Sequence, residues 1–260
     1  MEDIKLGAVQ ETALIPLAIR ASETKRKNRR ITDHKAVEII DALRIDTKPM
    51  DKLGSHEGVV VRTILLDAEI KTLIHQIPDA VCLNLGCGLD DRFSRVDNGR
   101  IQWRNIDLED MIAFRRKFYR DSEREIMEVR DILSDGWTDG VPRDRSVIAI
   151  AEGLFMYFSK EEIRRILESL RDAFPEGYLV CELMHPFAMK EKVHDTVKST
   201  RAKFGWGTES GHDLEALCSD FTLIRETSLS EELKKYSLID KIAAAIIGNR
   251  NNRVAVFQWG

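Results

Sequence analysis

The chain has 260 residues, 43% of them hydrophobic, enough apolar material for one large domain or a domain with a cap. Its formal net charge of −4 gives no overall field that favours nucleic acid or an anionic membrane surface. The one basic cluster, KRKNRR from Lys25 to Arg30, reads as a solvated helix end, and no apolar run approaches the ~18 residues of a membrane span.

The first ten residues, MEDIKLGAVQ, are acidic and carry no apolar core of a secretory leader, so a cytoplasmic protein is expected. The four cysteines (Cys82, Cys87, Cys181, Cys218) show no CxxC spacing, which fits reduced thiols. The six histidines pair with no other ligand type at a recognised spacing, so no metal site is expected.

Residues 1–79 read as a helical N-terminal cap. TALIPLAIRASETKR, DHKAVEIIDAL and VVVRTILLDAEIKTLIHQI each place apolar residues three and four apart. Asp33 is the expected N-cap of the second helix, and Pro78 closes the third. From Ala80 the pattern changes. Strand-like runs (AVCLNL, IQWRNID, EIMEVRDI, SVIAIAEG, GYLVCELM, FTLIRETS, RVAVFQW) alternate with helical ones (EDMIAFRRKFYRD, SKEEIRRILESLRDAF, AMKEKVHDTVKSTRAKF, DLEALCSD). Such alternation with apolar strands predicts a doubly wound, mostly parallel sheet over residues 80–260, with ligands at the carboxyl ends of the strands.

The first strand run breaks into Gly86-Cys87-Gly88. Glycines adopt backbone angles closed to other residues and bring no Cβ, so a ligand can lie against the chain there. The next run ends in Asp107, nineteen positions after Gly88, where a carboxylate suits the two hydroxyls of a ribose or the start of the following helix. A dinucleotide fingerprint needs a third glycine; here Asp90 and Asp91 stand in the region where two phosphates would lie, and no GK[ST] of a P-loop is present. A cationic nucleoside such as S-adenosylmethionine fits better. Cys87 reads as a small packed thiol.

VCLNLGCGLDDRFSRVDNGRIQWRNIDLED together with AEGLFMYFSKEEIRRIL resembles the leucine carboxyl methyltransferase family, with closer similarity to its tetracenomycin polyketide O-methyltransferase-like branch; the segments ETALIPLAIRASETKR and FGWGTESGHDLEALCSDFTLIRETSL look similar as well. The resemblance implies a class I methyltransferase, Rossmann-like fold of seven strands, the last antiparallel, with the helical cap and a late lid insertion over about 186–215. It implies S-adenosylmethionine as methyl donor and S-adenosylhomocysteine as product. At matching positions it implies cofactor contacts from Arg62 to the methionine carboxylate, from Gly86, Cys87 and Gly88, from Asp107 and the adjoining Leu108 at the ribose, from Asp131 and Ile132 at the adenine, and from Glu152 with Gly153 near the amino group. Asn84 departs from the acid that many class I methyltransferases carry before the glycine turn. Other roles are open for several: Arg62 as a helix-surface charge paired with Asp67 or Glu69, Asp131 as a turn cap, Tyr157 as core. Glu152 ends the apolar run SVIAIA, where an acid needs a partner.

The expected acceptor is a small-molecule carboxylic acid, methylated to an ester, or a phenol. A carboxylate with a pKa near ~4 is ionised at neutral pH and needs no general base, whereas a phenol does. Tyr157 and His185 are the candidate catalytic residues. Phe187, Met189, Phe204 and Trp206 are candidates for an apolar acceptor pocket. No nucleic-acid or membrane partner is expected.

Overall fold

The strand-like runs form one seven-stranded sheet in the order β3-β2-β1-β4-β5-β7-β6. The computed structural model describes residues 12–49, 55–189 and 203–260. The strands are β1 (Val81–Leu85), β2 (Gln102–Asp107), β3 (Glu125–Val129), β4 (Val147–Ala151), β5 (Gly177–Leu183), β6 (Thr222–Ser228) and β7 (Arg253–Trp259). The pairs among β1 to β5 are parallel, and β7 runs antiparallel to both β5 and β6. β1 and β4 are wholly buried, which is why their sequences are apolar and not alternating, apart from Asn84 of β1, whose amide donates to Asn105 Oδ1 at 3.0 Å.

Both faces of the sheet are covered. Val81, Leu83 and Leu85 of β1 point to the side of α6 (Lys160–Ala173), where Ile163, Ile166, Leu167 and Leu170 meet them. The alternate residue Cys82 faces α3 (Ser55–Gln76), whose Val61, Leu66 and Ile70 join a second core with Ile148, Ile150 and Val180. The period of two along the strands thus assigns each side chain to a layer. Helix α6 starts on a capping box, Ser159 with Glu162. Helices α1 (Leu14–Lys25) and α2 (His34–Leu43) share a third cluster with Cys87, Leu89, Met111 and Ile112. Asp33 caps α2 by accepting from the Ala36 amide at 2.8 Å.

Four helical features differ from the sequence expectation. A short α4 (Arg92–Val96) follows the glycine turn. Helix α5 (Glu109–Arg115) stops earlier than EDMIAFRRKFYRD suggests, and the chain tightens into turns through Tyr119, whose ring reaches back over the Arg115 guanidinium at 3.8 Å. DLEALCSD yields a single turn, α7 (His212–Glu215), because Leu214, Cys218 and Phe221 turn inward to the core. Between β6 and β7 stand two unexpected helices, α8 (Leu229–Leu233) and α9 (Leu238–Ile247). The helix expected over 188–204 falls largely outside the described residues. Among the described residues no helix is long and apolar enough to cross a membrane.

Gly177 opens β5 opposite Trp259, which donates its indole N–H to Phe174 O at 3.0 Å and packs on Phe221 with ring centroids 4.9 Å apart. A Cβ at Gly177 would lie 2.4 Å from the Trp259 ring and 2.8 Å from Val147 O. Gly177→Ala is therefore expected to destabilise the fold by about 1–3 kcal/mol through overpacking. Urea unfolding should show a lower midpoint at unchanged slope; an unchanged midpoint would show that the ring can move aside.

Candidate active site

The sheet register carries the site residues to one edge. Leu85, the last residue of β1, pairs with Ile106 on one side and Ala151 on the other, and Ala151 pairs with Cys181. One step further along the four strands stand Gly86, Asp107, Glu152 and Glu182. Asp107 pairs with Val129, two positions before Asp131. The strand order reverses between β1 and β4, so this edge is the topological switch point, where open α/β sheets bind ligands.

The glycine turn needs its glycines. Gly86 and Gly88 have φ of 61° and 48°, and a Cβ on Gly86 would lie 2.7 Å from Leu154. The Gly88 amide donates to one Asp107 oxygen at 2.8 Å and the Leu108 amide to the other at 2.8 Å. Burial raises the Asp107 pKa despite these two donors. On the far side, the turn's carbonyls are held by side chains. Arg115, wholly buried, donates to Gly88 O at 3.1 Å and Asp90 O at 2.7 Å, and the Tyr119 hydroxyl donates to Leu89 O at 2.9 Å. The Cys87 thiol is buried, which pushes its pKa up and makes it packing material and not a nucleophile.

Behind the turn lies a buried chain of charges. Arg92 has a side chain with no exposure and donates to Asp67 (2.7 Å), Asp90 (2.8 Å) and Glu152. Arg62 bridges Glu152 and Glu182, each at 2.8 Å. Arg95 joins Asp67 (2.6 Å), Asp90 (3.0 Å) and Asp33 (3.5 Å), and Arg20 closes on Asp33 at 2.8 Å. Glu182 also accepts from the Gly153 amide at 3.1 Å and the Asn252 amide group at 2.9 Å. Burial alone would raise the Glu152 pKa, but the Arg62 and Arg92 charges hold it down at about 2. Asp90 is lowered in the same way: burial opposes ionisation, and Arg92 and Arg95 outweigh it. Counted as ionised, the chain holds four guanidinium groups (Arg20, Arg62, Arg92, Arg95) and five carboxylates (Asp33, Asp67, Asp90, Glu152, Glu182), leaving one negative charge in excess.

These contacts change two readings. Asp90 does not present bare negative charge to a ligand, because two arginines match it; the argument against a pyrophosphate therefore rests on the missing third glycine. Arg62 is not a helix-surface charge. Asp67 pairs with Arg92 and Arg95, Glu69 pairs with Arg225, and Arg62 faces the strand edge.

A cavity of about 860 Å³ opens over this edge. Arg62, Gly86, Cys87, Gly88, Asp107, Leu108, Asp131, Ile132, Glu152, Gly153 and Tyr157 all line it. Asp131 also caps its own turn, accepting from the Leu133 amide at 2.9 Å. Tyr157 donates to Thr12 Oγ1 at 3.3 Å, packs on Phe204 with centroids 5.6 Å apart, and has its pKa raised by burial. His185 is placed elsewhere. It lines a second, polar cavity of about 470 Å³, and its Nδ1 accepts from the Phe187 amide at 3.0 Å. Burial lowers its pKa. Of the four expected apolar lid residues, Phe187 and Phe204 line the large cavity, whereas Trp206 is buried in the core under α6 and Met189 packs over Gly207. Sequence reasoning missed Arg92, Arg95, Asp67 and Glu182. Glu182 had a visible signal, a lone acid in the apolar run YLVCELM, the same logic that marked Glu152.

The family model of leucine carboxyl methyltransferase matches residues 13–171. The tetracenomycin polyketide synthesis O-methyltransferase TcmP of Streptomyces glaucescens is 30% identical over 218 residues, covering 83% of this chain and 81% of its own. The S-adenosyl-L-methionine-dependent methyltransferase dpfgK of Gibberella zeae is 26% identical over 237 residues, covering 82% and 79%. The structure of a Thermobifida fusca protein superposes with a TM-score of 0.62 at 14% identity, over 95% of this chain and 94% of that one, a likeness of fold. The chain belongs to the leucine carboxyl methyltransferase family and is an S-adenosylmethionine-dependent methyltransferase.

Proposed function

We propose that this enzyme methylates the carboxylate of a small, largely apolar acid to give a methyl ester. When bound, S-adenosylmethionine supplies an electrophilic methyl group on a sulfonium. Arg62, Glu152 and Gly153 hold its amino-acid end, Gly86, Cys87 and Gly88 let it lie against the turn, Asp107 with Leu108 takes the ribose, and Asp131 with Ile132 takes the adenine. The one-carboxylate excess of the buried network favours a ligand of net positive charge. Thr12, Ala13, Ile15, Glu57 and Val59 line this cavity, which supports the cap reading of the N-terminal helices, and Phe187, Ala188 and Phe204 line it from either end of the expected lid.

The observation that carries the choice of a carboxylate is the state of three titratable groups of the cavity, Asp107 being taken by two backbone amides. The Tyr157 hydroxyl is held neutral, its pKa pushed up by burial, so it donates and does not abstract. Glu152 and Glu57 are held ionised: burial opposes this, yet the arginines on Glu152, and His56 and Arg30 on Glu57, bring both to about 2. Such acids are poor proton acceptors near neutral pH. An acceptor that arrives ionised needs none. Bound S-adenosylmethionine would supply the methyl group directly to such an oxygen, with no proton to remove. The chain's contribution is alignment and removal of water. The apolar walls Val59, Leu229, Leu233, Ala243 and Ile247 suit an apolar acceptor body.

Three outcomes are expected. Asp107→Ala should weaken S-adenosylmethionine binding by about tenfold or more, read by calorimetry, since a charge-assisted bond to a buried carboxylate contributes about 1.5–3 kcal/mol; wild-type affinity in this variant would remove Asp107 from the ribose site. The kcat on a carboxylic acid should stay flat between about pH 6 and 9, because acids ionise near ~4. Rates rising tenfold per pH unit, together with turnover of phenols in a panel that follows S-adenosylhomocysteine release, would favour the phenol reading. Glu152 has a folded pKa of about 2, against an unfolded value near ~4.3. A depressed pKa means its contribution, on the order of 2–3 kcal/mol, is complete above about pH 4.5 and is lost as the pH falls towards 2. The stability gap between wild type and Glu152→Gln in urea should therefore narrow over that window; a constant gap would contradict the assignment.

A further inference from the structure

Besides the residues of the strand edge and glycine turn, the lining of the large cavity includes an apolar set from elsewhere in the chain, its apolar limb: Val59, Leu229, Leu233, Ala243, Ile247 and Phe187. Four arginines line the whole cavity among the described residues: Arg20, Arg62, Arg130 and Arg250. Three have carboxylate or carbonyl partners within the fold, and Arg62 among them is already assigned to the amino-acid end of the methyl donor. Arg20 bonds Asp33 and Leu89 O. Arg62 bonds Glu152 and Glu182. Arg130 bonds Glu128 at 3.0 Å and Trp137 O at 2.6 Å. Arg250 differs: among the described residues its guanidinium meets no carboxylate and no carbonyl, only the face of the Phe187 ring, 6.0 Å from the centroid. Phe187 and Arg250 both line the large cavity, and Arg250 also lines the polar cavity with Glu209, Glu226 and Glu231, none of which forms an ion pair with it, so its charge is shared between the two spaces.

The acids of the limb do not supply a partner. Glu57 is taken by Arg30 through two contacts of 2.5 and 2.9 Å. Asp240 is taken by the capping box of α9. An apolar chamber with one uncommitted guanidinium at its rim is complementary to an amphiphilic anion: the body fills the chamber, and the fork pairs with an oxyanion bidentately. We propose that Arg250, which lies over the Phe187 ring, is the specificity-determining residue that reads a negative charge on the acceptor. This deepens the reading of the acceptor as an acid and rests on it for the class of ligand.

Two fluorescent probes differing only in charge test the assignment without turnover. 8-Anilinonaphthalene-1-sulfonate carries the anion, and N-phenyl-1-naphthylamine is its neutral counterpart. Each is titrated into the protein saturated with S-adenosylhomocysteine, counting only the signal displaced by 1-naphthoate. The expected result is that Arg250→Gln weakens the sulfonate probe about fivefold or more, that Arg250→Lys keeps part of the affinity, and that the neutral probe binds all three proteins alike. Equal sulfonate affinity in wild type and Arg250→Gln would overturn the proposal. So would an equal loss for both probes, which would mean that Arg250 only packs. Arg250 is exposed, so both variants should fold; unchanged melting temperature and S-adenosylhomocysteine affinity verify this. A wild-type enzyme that methylates phenols and no acids would fail the acceptor reading in the turnover panel while leaving the probe difference in place, which keeps the two failures apart.

Discussion

A guanidinium that water cannot reach has to be matched by carboxylates, and Arg92 sets that demand at the centre of this molecule. Its three partners come from three parts of the chain: Asp67 from α3, Asp90 from the glycine turn, and Glu152 from the end of β4. Each of these acids except Glu152 is shared with Arg95, and Glu152 is shared with Arg62. The arrangement therefore cannot be satisfied piecemeal. Buried ion pairs contribute little net stability over well-packed apolar residues, but losing one partner leaves an uncompensated charge at a cost of about 3–5 kcal/mol. The network thus acts as a specification: the N-terminal helices, the turn and the strand edge must be placed together or not at all.

The same atoms set the electrostatics of the cavity. Asp33 caps α2 and also receives Arg20 and Arg95, so the helix start and the charge network share one carboxylate. The turn between β1 and α4 is gripped from both sides, by Asp107 on the Gly88 amide and by Arg115 and Tyr119 on the three following carbonyls. A turn held at both its donors and its acceptors keeps its shape whether or not a ligand lies on it, and pre-organisation of this kind lowers the entropy lost on binding.

Much of this was legible in the sequence, and the parts that were not share a cause. The strands, the switch point, the glycine turn and Asp107 follow from local periodicity and spacing, and those signals act over a few residues. The charge network joins residues 25, 60 and 120 positions apart, and no local pattern encodes which acid meets which arginine. Asp90 illustrates the consequence: read alone it is a negative charge facing a ligand, whereas in the fold it is half of two ion pairs. His185 shows the same limit, since a residue following β5 can turn to either side of the sheet, and its Nδ1 is taken by the next turn. Helix α9 is the opposite case. Its capping box, Ser237 with Asp240, is written in SLID and was legible, but the neighbouring run IAAAIIG invites attention only as apolar length.

The two limbs of the cavity are built by different rules, and this bears on what the fold can evolve. The limb at the strand edge is fixed by the register of four strands and by a network in which every arginine is committed. The other limb is built from α8, α9 and the residues around Phe187, outside the parallel core, and its walls are mainly apolar. A change in the first limb disturbs buried charges and is expensive. A change in the second replaces one apolar wall by another, which cores and pockets tolerate when volume is conserved. The edge also has a directional consequence. With the donor bound as proposed, one carboxylate in excess stands beside its sulfonium, and the transfer itself removes the sulfonium charge. The attraction that favours the donor is therefore weaker for the product, so the electrostatics of the buried network work for release as well as for capture.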